Sequence, residues 1–133
     1  MINGQELRLG NYVLYKNLGK INMVRCGWAH FEKLAAGDAK DLYPVALKAE
    51  LLQRCSFIEN KDYPLLPQAH EFRLVLPVMG GNKNEITCWI KSNGECFGRA
   101  IVNDLPVSQN FHHLHTLQNL YYGLVGEELS IKA

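Results

Sequence analysis

The C-terminal segment 111–129 constrains the fold of this chain more than any other part of its sequence. Apolar residues recur there at the three- and four-residue spacing of an α-helix and end at Gly126, a residue type that commonly terminates helices. Ser108 is a suitable N-cap, so the helix is expected to begin directly after it. A helix with so broad an apolar stripe must pack against other elements. The stripe consists of Leu114, Leu117, Leu120, Tyr121 and Leu124.

Two amide side chains, Gln118 and Asn119, lie within this otherwise apolar helix. Buried amides require hydrogen-bond partners, so we expect them to bond to strand ends or to loop backbone. Such bonds would fix the rotation of the helix on its support.

The N-terminal region has the composition of a β-hairpin. Residues 7–15 and 21–24 are rich in strand-forming side chains, and the turn-like sequence Asn17-Leu18-Gly19 separates them. This pattern predicts a β-hairpin or a small SH3-like barrel.

A second β-rich region, residues 72–101, predicts an antiparallel meander. Its Asn93-Gly94 pair is a strong signal for a two-residue type I′ turn, which would place Lys91 opposite Cys96. In that register Cys88 and Cys96 point to opposite faces, which argues against a disulfide between them.

The remaining segments complete the predicted architecture. Residues 45–55 predict a short amphipathic helix, and residues 32–43 predict a loop or a marginal helical turn. A chain of 133 residues with 47% apolar residues has the size of a single domain. We therefore predict one α+β domain over residues 1–133, with an N-terminal hairpin or small barrel, an antiparallel meander and two helices, the C-terminal one packed on the sheet.

Composition excludes several classes of protein. The net charge of +1 gives no global attraction to nucleic acid or to anionic membranes. The chain starts without a secretory signal pattern and has no apolar run long enough to cross a bilayer, so we expect a cytoplasmic protein without a membrane partner. The cysteines are then expected to be buried thiols in a reducing compartment. They are Cys26, Cys55, Cys88 and Cys96.

Catalytic motifs are missing from the sequence, and no catalytic residue or cofactor is predicted. There is neither a Gly-x-Ser-x-Gly elbow nor a glycine-rich phosphate loop. The clustered metal-ligand types are His112, His113 and His115, of which His112 and His115 are three residues apart and could share a helix face. A small metal-dependent enzyme using this cluster is therefore the alternative to a non-catalytic role, although the sequence supplies no evident third ligand.

The N-terminal region also mixes cations with aromatic residues, as single-stranded nucleic-acid binders do. The competing interpretation is that aromatic residues in strands belong to the core. The candidate nucleic-acid-binding residues are Arg8, Tyr12, Tyr15, Lys16, Lys20, Arg25 and Trp28.

Three segments, residues 6–13, 44–57 and 113–129, resemble an uncharacterised group of short proteins common in Bacteroidetes genomes and their phages. The most specific part is a His-x-Leu-Gln-Asn-Leu-Tyr sequence at residues 115–121, followed by Gly-Glu-Glu-Leu at residues 126–129. The resemblance implies a cytoplasmic protein from a phage or mobile element and supplies no activity. We therefore predict a non-catalytic binding or accessory module whose partner is a protein or a nucleic acid. A protein-binding role would require an exposed apolar patch or a symmetric homodimer.

Overall fold

The computed structural model describes residues 7–37, 41–61, 66, 68–77 and 84–132. These residues form three helices and eight strands in two antiparallel sheets, which confirms the predicted α+β class. The chain divides into two compact units, residues 1–46 with 113–119 and residues 47–112 with 120–133. The expectation of a single domain stays a prediction.

The first unit contains a three-stranded sheet. Strands β1 (Tyr12–Asn17) and β2 (Lys20–Arg25) pair as an antiparallel hairpin, as predicted, and β3 (Leu42–Tyr43) pairs with the other edge of β1. Leu18 and Gly19 connect β1 to β2 with φ values of +52° and +79°. Positive φ at both central positions is the geometry of a type I′ turn, whose twist matches that of the strands.

Helix α1 (Trp28–Ala35) occupies part of the segment for which a loop or marginal helical turn was predicted. It begins after Gly27, which has no side chain for capping, and the Nδ1 of His30 accepts the Gly27 N–H at 2.9 Å instead. Phe31 and Leu34, three residues apart on α1, pack against the buried residues of the first unit. Those buried residues are Leu7, Val13, Cys26 and Leu42.

Helix α3 (Leu114–Val125) begins six residues later than the predicted N-cap. The Oγ of Ser108 accepts the backbone N–H of Ala100 at 2.9 Å, so Ser108 lies beside a strand and caps no helix. The predicted end is confirmed, because Gly126 has φ +82° and donates its N–H to the carbonyl of Tyr122 at 2.8 Å. Residues 114–119 of this helix belong to the first unit and residues 120–125 to the second.

Gln118 and Asn119 fix the first half of α3 against the start of β1. Gln118 bonds to strand backbone as predicted, whereas Asn119 bonds to side chains. The Oε1 of Gln118 accepts the backbone N–H of Tyr12 at 2.8 Å. The Oδ1 of Asn119 accepts the Nδ2 of Asn11 at 2.8 Å and the Nε of Arg8 at 3.1 Å. These bonds dock the C-terminal helix on the N-terminal sheet.

The second unit contains helix α2 (Ala49–Arg54), which confirms the predicted short helix, and a five-stranded antiparallel sheet in the order β4-β5-β6-β7-β8. The central strands confirm the predicted meander, while the Gly80-Gly81-Asn82 segment between β5 and β6 lies outside the described residues. The strands are β4 (Ile58–Asn60), β5 (His70–Val75), β6 (Glu85–Ile90), β7 (Cys96–Val102) and β8 (Leu105–Pro106).

The register of the β6–β7 hairpin differs by one residue from the prediction. Ile90 pairs with Cys96, because the turn has three residues and only Gly94 takes the left-handed conformation, at φ +89°. The Oδ1 of Asn93 accepts the N–H of Glu95 at 3.0 Å, a bond that favours this longer turn. Since side chains alternate between faces, the shift brings Cys96 to the same face as Cys88. The prediction that the two thiols point to opposite faces is wrong.

Within the described residues, no helix has both the length and the apolar character that are needed to span a membrane.

Candidate nucleic-acid interface

The sheet of the first unit has one face turned away from its buried core. Val13 and Leu42 are fully buried on the inner side, so the alternate residues of the three strands form the opposite side. We call this opposite side the outer face. It consists of Tyr12, Leu14 and Lys16 from β1, Ile21, Met23 and Arg25 from β2, and Tyr43 from β3.

Tyr12 and Arg25 form a stacked pair on the outer face. They are direct cross-strand partners, and the Cζ of Arg25 lies 5.3 Å from the centroid of the Tyr12 ring. The Nε of Arg25 donates a hydrogen bond of 3.1 Å to the Tyr12 hydroxyl. The pair therefore combines a phosphate-binding guanidinium with an aromatic ring, the two groups that contact backbone and base in single-strand recognition.

The rest of the outer face is apolar with one further cation. Ile21 is 58% exposed and Met23 is 36% exposed, and Lys16 is exposed at the end of β1. The backbone N–H of Lys16 donates to the carbonyl of Asp41 at 2.9 Å, which places Asp41 beside Lys16 in register. A partly apolar surface with two cations offers stacking area beside phosphate-binding groups.

The structure separates two of the predicted residues from the outer face. Tyr15 alternates to the inner side, where it packs on the core and its hydroxyl accepts a 2.6 Å hydrogen bond from the Nζ of Lys33. Lys20 pairs with Asn17 and is exposed on the same inner side, beyond the core. Simple strand alternation within residues 12–16 could have identified Tyr15 as a core residue.

Arg8 and Trp28 lie outside the strands. Arg8 is half-buried, and its Nε donates to Asn119, so its position is set by the docking of α3. Trp28 is the first residue of α1 and is 73% exposed. Tyr43 was not predicted to belong to the site, because its two-residue strand β3 is too short to show alternation.

The histidine cluster does not have the helical spacing that was predicted. Helix α3 begins at Leu114, so His112 and His113 precede it and His112 cannot share a helix face with His115. His112 is exposed, with Nδ1 3.2 Å from the carbonyl oxygen of Cys96, whereas His115 is buried and stacks on His113 at 5.8 Å between ring centroids. In the part of the chain that the structure describes, no three His, Cys, Asp or Glu side chains are grouped to hold a metal ion. Metal binding by His112 and His115 stays a prediction.

A buried carboxylate cluster in the second unit was not predicted. Glu71 is 1% exposed, and its two oxygens accept hydrogen bonds from the Nε1 of Trp89 at 2.8 Å, the Nδ2 of Asn60 at 2.6 Å and the Nε of Arg73 at 2.9 Å. Glu85, also buried, accepts the hydroxyl of Thr87 at 2.9 Å. Because these bonds use the carboxylate oxygens internally, the cluster ties β4, β5 and β6 together, and we assign it a structural role.

Comparison of the chain with known proteins gives no match to a family model, to a curated protein or to a solved structure. The resemblance to the Bacteroidetes and phage group therefore stays a prediction.

Proposed function

We propose that the protein binds single-stranded nucleic acid on the outer face of the N-terminal sheet. The observation that carries the proposal is the stacked Tyr12–Arg25 pair, which lies on the same solvent-facing side as Lys16, Met23 and Tyr43. Proteins that bind single strands without strong sequence preference combine cations for the phosphates with aromatic rings for the bases. The module is non-catalytic, and we expect it to act as an accessory factor in the cytoplasm.

The distribution of charge along the chain supports nucleic-acid binding at the outer face. Residues 1–46 contain six Lys or Arg and four Asp or Glu, a net charge of +2, whereas the whole chain has a net charge of +1. The attraction to phosphates is therefore local to the N-terminal unit and modest in size. We expect weak binding that depends strongly on salt.

The test is fluorescence anisotropy with a labelled oligothymidylate of about 15 nucleotides, titrated at several salt concentrations. Lys16→Gln and Arg25→Gln should each reduce the slope of log K against log salt by about 0.7, the value for one phosphate contact on a single strand. Tyr43→Leu should weaken binding by about 1 kcal/mol or more through lost stacking while leaving that slope unchanged.

Lys20→Gln is the matched control, because it removes the same charge from the same hairpin but on the inner side of the sheet. It should retain the wild-type affinity and salt slope. An absence of binding at low salt, or equal effects of Lys20→Gln and Lys16→Gln, would contradict the proposal.

A protein partner is the second candidate, favoured by the exposed Ile21 and Met23 on β2, which is an edge strand. An edge strand with exposed apolar side chains can pair with another chain, and a second copy of this protein would give a symmetric dimer. Sedimentation equilibrium tests the homodimer. A dimer that Met23→Lys dissociates favours the protein partner, and a monomer at all concentrations counts against the homodimer.

A further inference from the structure

Two cysteines of the second unit lie side by side on one face of the β6–β7 hairpin. Cys88 pairs with Gly98 and Ile90 pairs with Cys96, so Cys88 and Cys96 are diagonal neighbours on adjacent strands. Their side chains therefore project from the same face of the hairpin, two residue positions apart along the strands. Both are free thiols in this structure.

A hydrogen bond between the two thiols, with Cys88 as the donor, shifts their pKa values in opposite directions. The bond, together with burial, raises the pKa of Cys88 well above its ordinary value, and the same bond lowers the pKa of Cys96. Cys96 is therefore the thiol that ionises more readily, and the thiolate is the reactive form of cysteine.

Gly98 leaves the space that the Cys88 sulfur occupies. A Cβ atom at that position would lie 2.7 Å from the Cys88 Sγ and 2.7 Å from a ring carbon of Phe111. Cys96 is 7% exposed at the first position of β7, directly after the exposed turn, whereas Cys88 is fully buried. Cys96 is therefore the less buried of the two cysteines.

We propose that Cys88 and Cys96 form a reversible dithiol–disulfide site that hydroperoxides oxidise. The pair lies in the second unit and uses no residue of the outer face, so the inference is independent of the proposed nucleic-acid binding.

The chemistry is that of a two-thiol peroxide reaction. The Cys96 thiolate attacks a peroxide oxygen, the O–O bond breaks, and the alcohol leaves with the proton that Cys96 gave up, so Cys96 becomes a sulfenic acid. The Cys88 sulfur then attacks the sulfur of Cys96, the S–OH bond breaks, and the hydroxide leaves as water with the Cys88 proton. In total, two thiols and one hydroperoxide give one disulfide, one alcohol and one water.

Geometry makes this disulfide easy to reduce. Diagonal Cα atoms on adjacent strands are about 7–8 Å apart. An unstrained disulfide requires about 4.4–6.8 Å between them. Because β6 and β7 are already paired, the excess separation lies along the strands, and bond formation must shift the backbone locally. Disulfides strained in this way are the readily reduced ones. The site fits reversible signalling or protection better than permanent cross-linking.

The experiment exposes the folded full-length protein to hydrogen peroxide and then counts thiols by alkylation under denaturing conditions. We expect two of the four thiols to be lost, peptide mapping to show a Cys88–Cys96 link, and dithiothreitol to restore both. Cys26→Ser, in the other unit, is the control and should give the same link.

Two further variants test the assigned roles. Cys88→Ser should leave a sulfenic acid on Cys96 that dimedone labels, because the resolving thiol is gone. Cys96→Ser should leave the other thiols reduced under the same exposure.

Three outcomes would overturn the proposal. The first is the recovery of four thiols after peroxide, and the second is a link that contains Cys55, whose thiol is near enough to Cys88 to raise its pKa further. The third is dimedone labelling of Cys88 in Cys96→Ser at the rate expected for Cys96.

Discussion

Leu18 has a backbone conformation that is unfavourable for leucine. It occupies the first central position of the β1–β2 turn at φ +52° and is 94% exposed. A leucine in the left-handed region is disfavoured by contact of its Cβ with the backbone, and no burial of the side chain offsets that cost. The turn geometry is thus imposed by the strands and by Gly19 rather than by Leu18.

Leu18→Asn is expected to stabilise the protein by about 1 kcal/mol, because Asn-Gly is the preferred pair for a type I′ turn. Urea unfolding measures the change. Leu18→Ala is the control, since alanine keeps the Cβ and should change the free energy of unfolding by less than about 0.5 kcal/mol. Equal gains in both variants would assign the effect to the loss of exposed apolar surface.

Cys55 links stability to pH. It is 1% exposed, and burial, opposed in part by the charge of Arg54, raises its pKa from 9.0 to about 11. The unfolded chain releases this proton near pH 9 while the folded protein keeps it. The stability that the protonated Cys55 thiol contributes is therefore fully present below pH 9 and is lost as the pH rises toward 11.

We expect the stability difference between wild type and Cys55→Ala to shrink by about 1 kcal/mol between about pH 8 and about pH 10. Urea unfolding of both proteins at the two pH values measures it. The same comparison between pH 6 and pH 8 is the control and should give no change. A constant difference up to pH 10 would show that the thiol is not desolvated in the folded state.

At the scale of elements, amide and carboxylate side chains fix the position of helices and strands that apolar patterns leave free to rotate or slide. Gln118 is 2% exposed, and its Oε1 satisfies the N–H of Tyr12 at the start of β1. Without this acceptor a partly buried backbone N–H would lose its hydrogen-bond partner.

Gln118→Leu is expected to destabilise the protein by about 2 kcal/mol, mainly through that unsatisfied N–H. Gln53→Leu is the matched control, because Gln53 is an exposed glutamine on helix α2. Thermal or urea unfolding of both variants decides the point. Similar effects of the two substitutions would show that the Gln118 bond does not dock α3.

Glu71 has the corresponding role in the five-stranded sheet, where it joins Asn60, Arg73 and Trp89 from three strands. Glu71→Gln removes the charge that pairs with Arg73, and we expect a loss of about 2 to 3 kcal/mol in the free energy of unfolding. Glu59→Gln, at a more exposed carboxylate on β4, should change it by less than about 0.5 kcal/mol. Equal effects would contradict the structural role of the buried cluster.

The sequence predicted elements better than their ends and registers. Periodicity located β1, β2, α2 and the C-terminal helix because each has a clear apolar pattern. It could not locate α1, whose N-cap is Gly27, because a helix of eight residues with an unusual imidazole cap gives little local signal. The prediction of the β6–β7 register was wrong because Asn93-Gly94 fits both a two-residue and a three-residue turn. The hydrogen bond of the Asn93 side chain favours the three-residue turn.

The residues of the candidate site were only partly predictable from the sequence. Tyr12, Lys16 and Arg25 were identified from composition and do share one face, whereas Tyr15 and Lys20 lie on the other. Ile21 and Met23 were not predicted, because single-strand recognition depends mainly on charged and aromatic side chains, although period-two alternation places them on the same face as Arg25.

At the scale of the whole molecule, one continuous helix belongs to both compact units. Residues 114–119 of α3 count with the first unit and residues 120–125 with the second. Loss of structure in either unit would therefore remove the support of half of one helix. A helix of 12 residues is marginal without tertiary support, so we expect the two units to unfold together.

The two tryptophans allow a test of this single-domain behaviour, since Trp28 lies in the first unit and Trp89 in the second. In Trp28→Phe, fluorescence reports the surroundings of Trp89 alone, which is 2% exposed, while far-ultraviolet circular dichroism reports the secondary structure of both units. Trp28 is 73% exposed, so its replacement should cost little stability. Coincident urea transitions from the two signals are expected for one cooperative domain. A circular dichroism transition that persists after the Trp89 signal is complete would instead show two domains that unfold separately.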